Sequence, residues 1–455
     1  MRIRLPILAA AALTGALAAP VAADASSADA SQTAAVPGEV VVGYAPGASD
    51  AEKQAVASTA GTSPTGDLPD GAQVVRIEDG QSVGHKVAEL RRTPGVSYAV
   101  PDFRVRAAGD PPPYFPNDPG NGGLGDWWHL QWNFYGPFGV NAPEAWAIAR
   151  RDGVPGGKGV TIAVIDSGVA YRKMGRFRRA PDLPSHRWVH PYDFIHKNAY
   201  PVDQDGHGTH VTGTIVQRTN NGFGLTGLAY GAKIMPLRVL DANGNGDGSN
   251  FAKAIRYAVD HHARVINMSV EFDTSLRAAD IPDVIQAIKY AHNHGVVMVA
   301  AAGNDSEDRP AYPARDPYVI SVAATTADGC LADYSNDGTG LDVSAPGGGN
   351  DSDLADNAWD SAHCNPNGAA REVYQETFTH GVKHFGLVGY EGTSESAPHV
   401  SAIAALIIAT RVIGAHPSPA AVLARIQSTA RDIGAPGWDS RYGAGLVDAA
   451  AAIRR

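Results

Sequence analysis

The sequence is poor in several features that would each mark a class of protein. Two cysteines in 455 residues are too few for a disulfide-dense scaffold or a four-cysteine metal centre. Charged residues make up 18% of the chain, too little for a disordered polyelectrolyte or a coiled coil. Basic residues are outnumbered 37 to 47, a formal charge of -10, which argues against nucleic acid or an anionic membrane as a general partner. Beyond the first residues no apolar run reaches the about 20 residues of a membrane span. No repeat with a period of about 20 to 50 residues marks a solenoid. What remains is 44% hydrophobic residues, punctuated by 51 glycines and 31 prolines. That supports two or three domains, or one large α/β domain with appendages.

Residues 1–25 have the three parts of a secretory signal peptide: Arg2 and Arg4, an apolar run over 5–19, and Val21-Ala22-Ala23. The run is too short for a membrane anchor, so a secreted, extracellular protein is expected. Cys330 and Cys364 then lie in a compartment that permits a disulfide. Paired, they would close a loop worth roughly 3 to 4 kcal/mol; two free thiols are the alternative.

Two folded units follow. Over 38–107 the pattern predicts strands at 39–44, 72–77 and 96–100. Between them fall a helix opened by the capping box Ser49-Asp50-Ala51-Glu52 and a second helix over 82–92, stopped by Pro94-Gly95. A Gly-, Pro- and Asp-rich linker, 108–125, is expected to be exposed and open to cleavage. From Gly159 onward, buried-strand runs at 160–165, 234–240, 264–269, 296–301 and 318–323 alternate with helices at 250–262, 281–294, 396–413 and 419–431. Continuous apolar strands between helices predict an α/β fold with a mostly parallel sheet covered on both faces. Ligands of such sheets sit beyond the carboxyl ends of the strands.

Three motifs lie at such places: Asp166-Ser167-Gly168 at a strand end, Asp205-Gly206-His207-Gly208-Thr209-His210 at a helix start, and Gly392-Thr393-Ser394-Glu395-Ser396-Ala397 before a long apolar helix. Each alone has a plainer reading, as a turn aspartate, a structural histidine or a serine N-cap. Together they supply the orienting carboxylate, general base and nucleophile of acyl transfer. Their order, Asp, His, Ser, differs from that of chymotrypsin and of the α/β-hydrolases.

On these motifs the chain resembles the secreted subtilisin-like serine proteases, the subtilases. The resemblance extends to Pro94–Asp102, similar to the end of the family's inhibitory propeptide, and to the closing Tyr442-Gly443-Ala444-Gly445-Leu446. It implies a signal peptide (1–25), an I9-like inhibitory propeptide of ferredoxin-like α+β fold (38–107), a mature N-terminal segment (108–158) and a three-layer αβα peptidase domain (159–455). It further implies an endopeptidase, autoprocessed from a zymogen by a cut between Arg106 and Tyr114, a monomer acting on polypeptides and inhibited by its own propeptide. Ser394 becomes the nucleophile, His207 the base, Asp166 its orienting partner, and Asn304 in Ala301-Ala302-Gly303-Asn304 the oxyanion donor.

The substrate is expected to pair as a strand between 264–271 and the loop 244–248, touching Gly246, Ser269, Val270, Glu271 and Gly303. Here the chain departs from the family. Ser269-Val270-Glu271-Phe272 replaces the usual Ser-Leu-Gly-Gly, and Glu395 replaces the usual methionine after the nucleophile. With Asp247, these acids suggest a preference for basic side chains near the cut; large apolar side chains are the alternative. No cofactor is needed for the chemistry. Structural calcium is common in the family, and Asp342 matches a ligand position. The run Asp241–Asp247 imitates a calcium loop but has Ala252 where a bidentate glutamate belongs, so it is read as the substrate-edge loop. The insert 348–390 is expected to border the primed side of the cleft. A secreted binding protein with a spoiled cleft, and a hydrolase specialised for esters, are the rival readings.

Overall fold

The computed structural model describes residues 35–103, 109–353 and 357–455. The expected signal peptide lies outside them, as does part of the expected processing region. The described chain forms two compact units that divide at Gly109.

In the first unit, β1 (Ala35–Tyr44), α1 (Asp50–Thr59), β2 (Thr62–Asp67), β3 (Gln73–Ile77), α2 (Val83–Leu90) and β4 (Val96–Phe103) follow in order. The capping box is realised, with the Glu52 carboxylate accepting from Ser49 N–H at 2.7 Å. The strands form an antiparallel sheet ordered β2-β3-β1-β4, the split βαββαβ arrangement of ferredoxin-like folds. Val56, Val87 and Leu90 of the helices pack against Val40, Val42, Val75 and Ala99. The sequence pattern missed β2. Its residues, Thr-Ser-Pro-Thr-Gly-Asp, are polar and carry a proline, which a strand tolerates only at a sheet edge, and β2 pairs with β3 alone.

The second unit is built on a seven-stranded parallel sheet. Its strands are β5 (Thr161–Asp166), β6 (Tyr192–Asp193), β7 (Lys233–Arg238), β8 (Val265–Met268), β9 (Val297–Ala301), β10 (Ile320–Thr325) and β11 (Val343–Pro346), in the order β11-β10-β9-β8-β5-β7-β6. All five predicted strand runs lie in it. Along β5, Ile162 and Val164 join one core and Ala163 and Ile165 the other, which is why the strand reads as continuously apolar. The first core carries α3 (Ala142–Arg151), α4 (His207–Val216) and α8 (Thr393–Thr410). The second carries α5 (Gly248–Asp260) and α6 (Pro282–Asn293). The result is the expected three-layer αβα sandwich.

One expectation needs correction. The linker 108–125 is not exposed throughout: residues 121–124 are exposed, but Asp118 is fully buried and accepts from the backbone N–H groups of Asn220 and Asn221 at 2.7 and 2.9 Å. The segment that follows joins the first core, where Trp127, Phe134 and Trp146 are wholly buried. The insert also has structure of its own, a short helix α7 (Ala358–His363) and a hairpin of β12 (Val373–Phe378) and β13 (Phe385–Tyr390). Its other half is tied down where Cys364 is bonded to Cys330 across 34 positions. Replacing both cysteines by serine should cost about 3 to 4 kcal/mol, read as a lowered thermal midpoint that reductant lowers no further. An unchanged midpoint would show that the insert holds itself in place.

Candidate active site

The carboxyl end of β5 delivers Asp166, and the N-terminus of α4 delivers His207. Asp166 is fully buried, and its Oδ1 lies 2.8 Å from His207 Nδ1. The approach depends on Gly208, where a Cβ would stand 2.2 Å from the Gly168 carbonyl oxygen and 3.0 Å from Asp166 Oδ1. Gly206, at φ +119, turns the chain into the helix in a region that favours glycine. The fully buried Asp203 clamps the same turn. It accepts from the N–H groups of Asp205 and Gly206 at 3.0 Å, from the Ser167 hydroxyl at 3.0 Å, and from Thr209 N–H at 2.9 Å. The sequence reading began its motif at Asp205 and missed Asp203, although the spacing Asp203-Gln204-Asp205-Gly206-His207 was there to be read.

Ser394 is the second residue of α8. In the resting structure its hydroxyl donates to the Ser269 carbonyl at 3.4 Å. Asn304 follows β9, and its side-chain carbonyl accepts from Thr393 N–H at 2.9 Å and Thr393 Oγ1 at 3.0 Å. That leaves the Nδ2 amide as a donor beside Ser394. A cavity of about 470 Å³ is lined by His207, Ser394, Asn304, Ser269, Val270 and Glu271, with Asp205, Leu240 and Gly244.

Residues 157–445 match the model of the subtilase family of peptidases, and residues 21–102 match the fervidolysin N-terminal prodomain. The chain belongs to the subtilase family. It is 33% identical over 375 residues to the thermophilic serine proteinase of Bacillus sp. strain AK1, covering 82% of this chain and 78% of that protein. Thermitase of Thermoactinomyces vulgaris is 36% identical over 234 residues, 51% of this chain and 74% of thermitase. Among solved structures, a protease from Pseudoalteromonas arctica PAMC 21717 superposes with a TM-score of 0.59 at 30% identity, covering 74% of this chain and 98% of that one. This subtilase is therefore a serine protease with an N-terminal prodomain.

The cleft of this subtilase differs from the sequence expectation in several places. Gly246 and Gly303 do not line the cavity. Gly246 lies against the Val239 carbonyl, where a Cβ would be at 2.5 Å, and Gly303, at φ +116, lies against Asn336 Nδ2, where it would be at 2.2 Å. Both are needed for close backbone packing, while Gly244 takes the rim position. Glu271 stays at the rim, one oxygen accepting from Asn304 N–H at 2.9 Å. Glu395 turns away from the cleft and is 2% exposed. Its Oε1 faces Nδ1 of the fully buried His210 at 3.4 Å. His210 Nε2 lies 3.1 and 3.2 Å from the carbonyls of Val373 and Val388 in the hairpin. Two carbonyl partners require a hydrogen on that nitrogen. The insert thus packs behind the His207 helix, where Thr377 Oγ1 donates to the Gly206 carbonyl at 2.5 Å. None of its residues lines this cavity.

Calcium requires six to eight oxygen ligands, and Asp342 does not fit that need. Its Oδ2 accepts from Ser321 N–H at 2.9 Å and its Oδ1 from the Gln427 amide at 3.2 Å, so both oxygens already face hydrogens. Burial pushes its carboxyl up to about 6. Asp241 accepts from Asn243 and Asn245 N–H at 2.8 and 3.0 Å, a turn rather than a metal loop. Among the described residues the one cluster of three potential ligands is Cys330, Asp351 and Cys364, in which both sulfurs are spent on the disulfide.

Burial works to lower the His207 pKa, but the Asp166 carboxylate outweighs it by charge and hydrogen bond, and Glu395 and Asp205 add to the rise. The imidazole is held well above its ordinary range. Since a base must be neutral to act, the acid limb of kcat/KM should lie above pH 6.5. Glu395→Gln removes one of the raising charges and should move that limb to lower pH; an unmoved limb would remove Glu395 from the electrostatics of His207. Asn304→Ala should lower kcat by about 100- to 1,000-fold, or about 2.7 to 4 kcal/mol, with KM little changed. Thr393→Val, which loses one of the two anchors of Asn304, should lower it by about 5- to 10-fold. Equal effects on kcat from the two variants would contradict the positioning assigned to Thr393.

Proposed function

We propose that the chain is an exported endopeptidase, made as a zymogen and cut by its own triad. The observation that carries the reading is the 2.8 Å contact of Asp166 with His207 Nδ1 beside a cavity shared by His207, Ser394 and Asn304.

The Ser394 hydroxyl turns from the Ser269 carbonyl toward His207 Nε2 and attacks the scissile carbonyl carbon as the imidazole takes its proton. Asp166 holds the tautomer with Nδ1 protonated and stabilises the imidazolium that forms. The negative oxygen of the tetrahedral intermediate receives the Asn304 amide and the Ser394 backbone N–H, the latter at a helix start where negative charge is favoured. The C–N bond breaks, His207 returns the proton to the leaving amine, and water repeats the sequence on the acyl-enzyme. These groups suffice for the reaction without a cofactor. Glu395 turns its carboxylate toward His210 and does not line the cavity, so a preference for basic side chains would rest on Asp205 and Glu271 at the rim.

The prodomain match over 21–102 supports an intramolecular inhibitor removed on maturation. Intact mass of the secreted protein beside its Ser394→Ala variant tests both points. The wild type should lose the signal and propeptide, with a new N-terminus between residues 106 and 114, while the variant keeps its propeptide. A variant that matures like the wild type in the absence of other proteases would overturn self-processing by Ser394.

A further inference from the structure

The acidic chain concentrates cations in one stretch: Arg172, Lys173, Arg176, Arg178, Arg179 and Arg187 fall within sixteen residues that contain one acid, Asp182. Three arginines, Arg179, Arg187 and Arg218, line a cavity of about 320 Å³ together with His186 and Ser185. No acidic side chain lines it, and among the described residues none of the three arginines has an ion pair.

The neighbouring acids are turned inward and committed. Asp182 is fully buried and accepts from the Gln217 amide at 2.8 Å, the Asn221 amide at 2.7 Å and Leu225 N–H at 3.1 Å. Glu376 accepts from Asp182 N–H at 2.8 Å. Burial pushes both carboxyls up to about 7, which weakens what charge they could offer the arginines. Arg179 donates to the Leu183 carbonyl and is the cation that acts on Glu376. Arg187 and Arg218 have no such commitment.

Tyr230, another lining residue, already has its hydroxyl against the Arg150 guanidinium. One further feature points to a ligand. Arg187 keeps a backbone φ of +124, a strained conformation for a side-chain-bearing residue. The cavity lies at the C-terminal end of α4, lined by Val216 and Arg218, at the opposite end of that helix from His207. The roughly half negative charge of a helix C-terminus is small beside three guanidinium charges.

We propose that this cavity binds a phosphoryl or sulfuryl dianion, the group whose several oxygens match converging guanidinium forks. A carboxylate offers fewer oxygens and half the charge. The volume is at the lower end of small-molecule sites and leaves room for a small body attached to the phosphoryl group. Its source is either free phosphate or the ester of a larger molecule.

The test uses the full chain carrying Ser394→Ala, so that self-digestion does not blur the readout. Inorganic phosphate is titrated in at constant ionic strength set by sodium chloride. The expected result is a saturable rise of about 2 °C in the thermal midpoint that chloride does not reproduce. The rise should vanish in Arg218→Glu, an exposed position whose charge reversal leaves the core untouched, and shrink in Arg187→Gln. Each variant is judged by its own increment, so a changed starting midpoint does not matter. Glycerol phosphate in a parallel titration separates the sources: a matching rise identifies an esterified phosphoryl group as an acceptable occupant, and no rise restricts the site to the free ion. Absence of a saturable shift with phosphate, or an equal shift in Arg218→Glu, would overturn the proposal.

Discussion

The catalytic end of the molecule depends on one approach, that of the His207 imidazole to a carboxylate buried at the end of a central strand. Asp166 is placed there by β5, which both cores grip. The helix that carries His207 comes near enough because Gly208 has no side chain to strike the Gly168 carbonyl. Around that approach stand supports that do no chemistry themselves. Asp203 gathers the turn before the helix, and Thr377 of the hairpin holds the Gly206 carbonyl. A shift of one ångström in any of these would be felt at the imidazole, because catalysis by positioned groups is steep in geometry.

The supports share a physical device. Buried carboxylates that accept several N–H bonds each organise a segment with little regular structure of its own. Asp118 ties the early mature chain to the loop at 220–221, Asp182 closes the same loop from the other side, and Asp203 shapes the entry to α4. Burying a carboxylate is costly unless its oxygens are satisfied, so each such group imposes a specific arrangement on the backbone that satisfies it. Glu395 is a different case. It is buried beside Ser394 with its Oε1 facing a histidine, so its charge reaches His207 through the protein rather than through solvent, where screening would blunt it.

The same arrangement gives the insert a role. Carbonyls of Val373 and Val388 meet His210, whose ring stacks on Tyr390 at 4.4 Å. The hairpin is thus continuous with the backing of the catalytic helix, and the disulfide at Cys364 restrains its other half. The extra chain backs the helix that carries His207, while Ser269, Val270 and Glu271 line the cavity in front of it.

Sequence by itself determined the layer order, because a strand buried on both faces must be apolar throughout, and the five long runs of the peptidase unit could be nothing else. The proposed chemistry was legible there too, since Asp166, His207 and Ser394 with Asn304 are residue types that acyl transfer requires, in motifs that resemble one family. Short or polar elements escaped it: β2 carries a proline at a sheet edge, and the hairpin has no long apolar run. Only the tertiary structure decided where side chains point. Glu395 reads in sequence as a cleft residue beside the nucleophile, yet its place on α8 aims it inward at His210. Gly246 and Gly303 read as substrate contacts, and the structure adds that neither position has room for a Cβ. Asp203 and Thr393 acquire their positioning roles from partners 6 and 89 residues away. Side-chain direction follows from helix phase and from distant neighbours that crowd or attract, and a linear pattern records neither.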